Sequence, residues 1–315
     1  MAWLLEARLG MRLNRKKKVG PAQRVAFLGL ELDSVGADVG GACTRLCEQR
    51  RERCLKVVTD FMSGHKGKKR VHRRDLASLT GELMFASRAI PAGRTFCARL
   101  YRCQAEAEEE KKGDALDYDR HVKLTRGAWR DLRWWKRCLE SCSGTRLWRT
   151  RTFGLRRLWT DASGSGYCDT MEVEAKGELP AMEFGYGLWG GGQEAFSSNW
   201  HELSTIVMSI AQRGEQLRGA KVHYVTDNST AAAAVNNGTV RSASLLEVTR
   251  ELMLVQAKFD VELEAVHMSG KLIVAQGTDG GSRQLPYLGQ LGPNPVPHDR
   301  FDPFAWPAFE LQWGS

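Results

Sequence analysis

The sequence predicts an α/β chain: a mostly helical first half that carries a small β-hairpin, followed by a mixed sheet flanked by helices. Three observations predict it. Between residues 44 and 142 apolar side chains recur at helical spacing, broken only by short polar stretches. From about residue 155 onward, strand-like apolar runs alternate with helical ones. The charge divides at the same place. Residues 1–150 hold 33 Lys+Arg against 18 Asp+Glu, a net +15, and residues 151–315 hold 13 against 19, a net −6. A length of 315 residues favours two domains, each able to bury a core. The reading is therefore a basic helical region over 1–150, an α/β domain over 151–285 and a Pro-rich tail over 286–315.

Residues 1–18 read as a helix running into the charged exit Arg15-Lys16-Lys17-Lys18. Val25–Asp33 alternates apolar and polar residues and is followed by Gly36 and Gly40-Gly41, the pattern of a hairpin or short strand pair. Residues 44–63 read as a helix through Leu46, Leu55, Val58, Phe61 and Met62, and His65–Arg74 as a basic linker. Asp75 can cap the next helix, which carries Leu76, Leu79, Leu83, Met84 and Phe85. Pro91-Ala-Gly93 breaks it, and Arg94–Glu110 resumes as a helix. Residues 121–142 form an amphipathic helix with Trp129, Leu132, Trp134, Trp135 and Leu139. In the second half, 155–168, 184–196, 221–227 and 259–267 read as strands, and 200–213, 229–236 and 242–257 as helices. The polar, Gly/Pro-marked segment 171–183 reads as a loop insertion. The tail from Pro286, with prolines at 293, 295, 297, 303 and 307, reads as extended.

Several classes are excluded at this level. No run of about 18 apolar residues exists, so no transmembrane helix is expected. The opening Met-Ala-Trp-Leu-Leu-Glu-Ala-Arg is too short and too soon charged for a signal peptide. The expectation is an intracellular protein of cytoplasm or nucleus, with its eight cysteines as thiols. Cys43, Cys47 and Cys54 with His65 and His72, and the Cys138/Cys142 pair, lack the second tight pair of a zinc site.

Four acids stand in settings that suit a hard cation. Asp161 and Asp227 end apolar runs, Glu202 lies one turn inside a helix, and Asp279 opens a Gly-rich segment. They lie 41, 25 and 52 residues apart, so only a fold can gather them. In an α/β layer such groups collect at the carboxyl ends of strands. Two Mg²⁺ ions held by carboxylates are the usual machinery for cutting a phosphodiester. Lys68, Lys69, Arg70, Arg73 and Arg74, with Arg126, Arg130, Arg133, Lys136 and Arg137, suit a phosphate backbone. Trp129, Trp134 and Trp135 read more readily as core or interface residues than as base-stacking platforms.

Here the motifs become specific. Trp159-Thr-Asp-Ala-Ser163, Ser198-Asn-Trp-His-Glu-Leu203, Thr226-Asp-Asn-Ser-Thr-Ala231, His267-Met-Ser-Gly-Lys271 and Asp279-Gly-Gly-Ser-Arg283 follow in order. Upstream stand Phe27-Leu-Gly-Leu-Glu-Leu-Asp33, Leu79-Thr-Gly-Glu-Leu83, Pro91-Ala-Gly-Arg94 and Leu132-Arg-Trp-Trp135. Over about residues 20–285 the chain resembles the reverse transcriptase/ribonuclease H region of DIRS-like, tyrosine-recombinase retrotransposons. The resemblance implies a ribonuclease H-like mixed five-stranded sheet behind a thumb- and connection-like helical part. It implies hydrolysis of the RNA strand of RNA/DNA hybrids by two Mg²⁺, with Mn²⁺ as a substitute. Asp161 would bridge the ions, and Glu202, Asp227 and Asp279 would complete their shells. Ser163 and Asn228 are implied contacts to the hybrid's minor groove, with capping or turn formation as the plainer alternative. His267 is either a strand-end residue or an aid to product release. The chain holds no Asp-Asp dipeptide, so the polymerase palm site is missing and no polymerisation is expected. The implied partners are an RNA/DNA hybrid or other nucleic acid and the polymerase portion, with no membrane and no small-molecule cofactor. An inactive nucleic-acid-binding or assembly module derived from a reverse transcriptase is the alternative. Two departures bear on it: Thr278-Asp-Gly-Gly-Ser-Arg replaces the family's Ala-Asp-x-Leu-Ser-Arg, and the interval from His267 to Asp279 is two residues longer than the family's.

Overall fold

The computed structural model describes residues 20–35, 42–109, 120–141, 145–146, 156–173, 181–270 and 296–297, with the single positions 8 and 10. The expected first helix lies almost wholly outside these residues. Strands β1 (Arg24–Phe27) and β2 (Leu30–Asp33) form an antiparallel hairpin. Its two-residue turn holds Leu28 at φ 49° and Gly29 at φ 84°, the left-handed pair that matches strand twist. β2 also pairs with β3 (Cys43–Leu46). Helix α1 (Glu48–Gly64) buries Cys54, Val58 and Phe61 at a spacing of four and three, one face of a helix. Strand β4 (Arg70–His72) leads straight into α2 (Arg73–Ala86), and α3 (Gly93–Glu109) follows. Strand β5 (His121–Lys123) pairs with β4 and precedes α4 (Arg126–Ser141), and β6 (Thr145–Arg146) closes on β3. Gly93 is required where it stands: a Cβ there would lie 2.6 Å from the Trp135 ring. The four helices enclose one apolar cluster that includes Leu76, Leu83, Phe96, Leu132 and Trp135.

The second half is built on a mixed sheet. β7 (Arg156–Ala162), β8 (Gly166–Val173) and β9 (Ala181–Leu188) are antiparallel neighbours. Helix α5 (Ser198–Gln212) follows, then β10 (Lys221–Thr226), which lies parallel to β7 on its free side. Helices α6 (Ser229–Asn237) and α7 (Ala243–Phe259) lead to β11 (Glu262–His267), parallel to β10. The two-residue β12 (Val296–Pro297) adds to the β9 edge, giving the order β11-β10-β7-β8-β9-β12. Five main strands, three antiparallel and two parallel, with helices packed on them, form the ribonuclease H-like architecture that the resemblance implies. α5 packs between the sheet and α7, and every residue from Trp200 to Ile210 is buried. From Leu203 to Ile210 the helix is apolar or small on all sides, the signature of that central position.

Several boundaries shift. Residues 155–168 are a hairpin rather than one strand, because Ser163-Gly164-Ser165 makes a turn in which Ser163 Oγ accepts from Gly166 N. The expected insertion loop is shorter, since β8 runs to Val173 and β9 starts at Ala181. The basic linker contains β4 and the first turn of α2, and residues 121–123 pair as strand before α4 begins. None of the seven described cysteines is in a disulfide.

The helical part and the sheet part meet through α3, α4 and α7. Asp131, fully buried on α4, receives Arg99 of α3 at 3.2 Å and also Arg250 of α7. Arg99 reaches Glu247 of α7, and the Arg250 guanidinium lies 4.3 Å over the Phe96 ring. Thr95 donates to the Gly238 carbonyl, and Arg102 donates to that of Arg241 at 2.7 Å.

Candidate metal centre

Parallel pairing of β7 and β10 sets Trp159 level with Val225. Two residues further along each strand stand Asp161 and Asp227, so the register brings both acids to the carboxyl ends of adjacent strands. Asp161 is half-buried and Asp227 exposed. Glu202 comes to them from α5. The Ser197 side chain caps that helix by accepting from Trp200 N at 3.3 Å. Next along α5, His201 bonds the Gln193 carbonyl through Nε2 at 2.8 Å and stacks on Trp189, with ring centroids 4.6 Å apart. Trp189 in turn donates from Nε1 to the Ser163 carbonyl at 2.8 Å. This aromatic clamp fixes the start of α5 against the β7–β8 turn, and so fixes Glu202 beside Asp161.

Glu202 is only 7% exposed. Burial pushes its carboxyl up to about 8, the negative charges of Asp161 and Asp227 add to the rise, and the Ala162 backbone N–H opposes it. Its Oε2 is buried with no hydrogen-bond partner. A buried carboxylate oxygen left unpaired, with two further carboxylates close enough to oppose its ionisation, is a donor set that a divalent cation satisfies. The residues present therefore fit a hard metal. Among the described residues, however, no three of His, Cys, Asp and Glu form a group able to hold an ion as they stand. The fourth expected ligand, Asp279, lies outside the described residues.

The neighbouring residues have local duties. Asn228 caps α6, its Oδ1 accepting from Ala231 N at 3.0 Å, and its Nδ2 donates to Asn199 Oδ1 at 2.7 Å. The bond ties the residue after Asp227 to the first turn of α5. Ser163 Oγ accepts from Gly166 N at 3.1 Å within the hairpin turn. His267 is exposed at the end of β11, its Nε2 3.0 Å from the Asp227 carbonyl oxygen. A Cβ added to Gly270 would lie 2.7 Å from Asp227 Oδ2, so the backbone at 270 passes directly beside that carboxylate. Asn199, His201 and Gly270 sit inside the motifs but were not singled out from sequence. Only the glycine offered a signal, as a residue without a side chain just past a strand end.

The basic residues divide. Arg70, Arg74 and Arg130 are exposed, whereas Arg73 is 6% exposed and is not presented to solvent. Lys68, Lys69 and Arg133 line one concavity on the helical part. Trp135 is fully buried and Trp134 stacks on Phe96 with centroids 3.7 Å apart, as core residues do, while Trp129 is partly exposed.

Neither a protein-family model nor a curated protein matches this sequence. Solved structures that it resembles include a foamy viral protease–reverse transcriptase in complex with double-stranded DNA, at 13% identity over 81% of this chain and 46% of that one, TM-score 0.31. Another is LC11 ribonuclease H1 in complex with an RNA/DNA hybrid, at 14% identity over 43% of this chain and 99% of that one, TM-score 0.34. A third is ribonuclease H1 from the halophilic archaeon Halobacterium salinarum, at 12% identity over 42% of this chain and 96% of that one, TM-score 0.31. The chain spans less than half the length of the foamy viral protein. No helix among the described residues is long and apolar enough to cross a membrane.

Proposed function

We propose that this chain is a metal-dependent ribonuclease H that cuts the RNA strand of RNA/DNA hybrids, and that it derives from a DIRS-like reverse transcriptase. The observation that carries the reading is the buried, unpaired Glu202 oxygen between the two strand-end acids. Asp161, Glu202 and Asp227, with Asp279, would hold two Mg²⁺. When bound, these would activate a water for in-line attack on phosphorus and stabilise the departing 3′ oxygen, leaving a 3′-OH and a 5′-phosphate. The protein's own contribution is placement. The β7/β10 register levels Asp161 with Asp227, the α5 clamp delivers Glu202, and Gly270 leaves room for the Asp227 carboxylate. In this reading Ser163 and Asn228 would contact the hybrid's minor groove, and His267 would aid product release. The division of labour is a basic grip over 1–150, chemistry over 151–285 and a tail from 286. The altered run Thr278-Asp-Gly-Gly-Ser-Arg283 keeps a second reading open, a module that binds nucleic acid without cutting it.

The test is cleavage of a labelled RNA/DNA hybrid, with RNA/RNA and DNA/DNA duplexes as controls, in Mg²⁺ and in EDTA. Metal-dependent cutting confined to the hybrid's RNA strand, lost in Asp161→Asn, supports the enzyme. Binding without cutting, and no Mg²⁺ uptake by calorimetry, replaces it with the second reading.

A further inference from the structure

We propose that the concavity between α1 and α4 binds a nucleotide unit of a single-stranded nucleic acid, its phosphates on lysines and arginines and its base on Trp129. The cavity measures about 720 Å³ and lies wholly on the helical part. One wall is the turn after α1, where Gly67 at φ 78° folds the chain back and Lys66, Lys68 and Lys69 face the space. The other wall is α4, from which Arg126, Trp129, Arg133 and Lys136 enter. Their spacing of three, four and three is one helix face. Thr59, Met62 and Leu124 supply an uncharged floor.

Six cations thus line one concave surface with no Asp or Glu among the lining residues. Among the described residues none of the six is ion-paired. Nearby arginines behave otherwise. Arg50 and Arg53 share Glu82, and Arg45 pairs with Asp33 and Glu31. Like charges gathered in a hollow repel one another unless a polyanion occupies it. Trp129 adds what a plain phosphate site lacks. Its ring is braced by Phe61, with centroids 6.5 Å apart, and part of it lines the cavity. A fixed indole beside unpaired cations is how single strands are gripped without sequence preference. A paired duplex offers no base to such a hollow. The site is remote in sequence from the strand-end acids and does not depend on their chemistry.

The experiment measures anisotropy of a fluorescein-labelled oligothymidine of about 12 nucleotides and of a blunt duplex of the same length, on the full chain in EDTA at matched salt. The single strand is expected to bind at least about fivefold more tightly. Lys69→Glu/Arg133→Glu is expected to weaken it tenfold or more. Trp129→Leu is expected to weaken it about fivefold or more while Trp129→Phe retains most of the affinity, as loss of a stacked base requires. In the unaltered protein the strand should slow acetylation of Lys66, Lys68 and Lys69, a readout that needs no variant to fold. Wild-type affinity in the double charge reversal, unprotected lysines, or equal binding of duplex and single strand with no effect of Trp129→Leu would overturn the proposal.

Discussion

Glu202 and Asp131 are both carboxylates buried in the same chain, and their surroundings are opposite. Asp131, fully buried at the joint between the two parts, has the guanidinium groups of Arg99 and Arg250 on it. Glu202, 7% exposed at the carboxyl edge of the sheet, has two acids for neighbours instead. Each carboxylate keeps one buried oxygen without a hydrogen-bond partner, Oδ2 of Asp131 and Oε2 of Glu202, so the difference lies in the sign of the surrounding charge. A buried charge that is matched within the protein serves cohesion. One whose match is missing costs stability and is retained where a ligand completes it. The contrast marks Glu202, rather than Asp131, as the buried charge for which a ligand is proposed.

The largest expected effect breaks the functional side. Glu202→Gln should reduce metal-dependent cleavage by roughly 10³-fold, the loss of several kcal/mol of charge stabilisation. The same change should stabilise the metal-free protein. Because the Glu202 carboxyl is raised from 4.5 to about 8, the stability given by its neutral form is complete below the unfolded value and is lost as pH rises through about 8. Thermal unfolding in EDTA should therefore show a wild-type Tm that falls relative to Glu202→Gln between about pH 4.5 and 8. A glutamine variant that is less stable at every pH would mean that Glu202 is a structural acid after all.

The structural side should break in the opposite sense. Asp131→Ala leaves Arg99 and Arg250 buried without their counter-charge, which costs about 3–5 kcal/mol. At about 2–4 °C per kcal/mol for a domain of this size, a loss of roughly 10 °C in Tm is expected. Cleavage per folded molecule should hardly change. If Asp131→Ala instead lowered cleavage without lowering Tm, the joint would have a catalytic duty.

Much of this contrast was legible in the sequence, and the rest was hidden for physical reasons. Asp161 and Asp227 could be found because each ends a run of strand-forming residues, and strand ends are where an α/β sheet gathers ligands. Glu202 followed from its helix. What could not be read was its burial, since only the fold packs α5 against the sheet and α7. Nothing in Trp129-Arg-Asp-Leu-Arg133 sets Asp131 apart from a surface charge on an amphipathic helix, since its partners lie 32 residues upstream and 119 downstream. The β7–β8 hairpin is signalled by Ser163-Gly-Ser-Gly166, a turn-forming run, so the expectation of one strand over 155–168 overlooked a legible break. The three tryptophans of 129–135 looked alike, and only packing set Trp129 apart.

A smaller effect sharpens the functional half. Gly270→Ala places a methyl 2.7 Å from Asp227 Oδ2, inside contact distance. The methyl meets only the end of the Asp227 side chain and removes no apolar contact, so Tm should stay within about a degree. The carboxylate must swing away instead, and Mg²⁺ affinity by calorimetry should fall about tenfold, the scale on which displaced metal-site geometry is felt. Unchanged affinity would remove Asp227 from the ligand set.

Asn228→Ala is expected to give the smallest change and to divide most finely between the two kinds of role. Losing the α6 cap should cost about 1 kcal/mol, read as a Tm lower by roughly 2–4 °C. If Asn228 only caps, Asn228→Asp, which keeps an accepting oxygen for Ala231 N, should restore both stability and hybrid binding. If its amide also serves the site, Asp will restore stability alone. It can no longer donate to Asn199, and it adds a negative charge beside Asp227, where a nucleic-acid backbone would approach. Hybrid affinity that stays low in Asn228→Asp while Tm recovers would assign the side chain a part in binding. Recovery of both would leave it as the cap that the α6 geometry already shows.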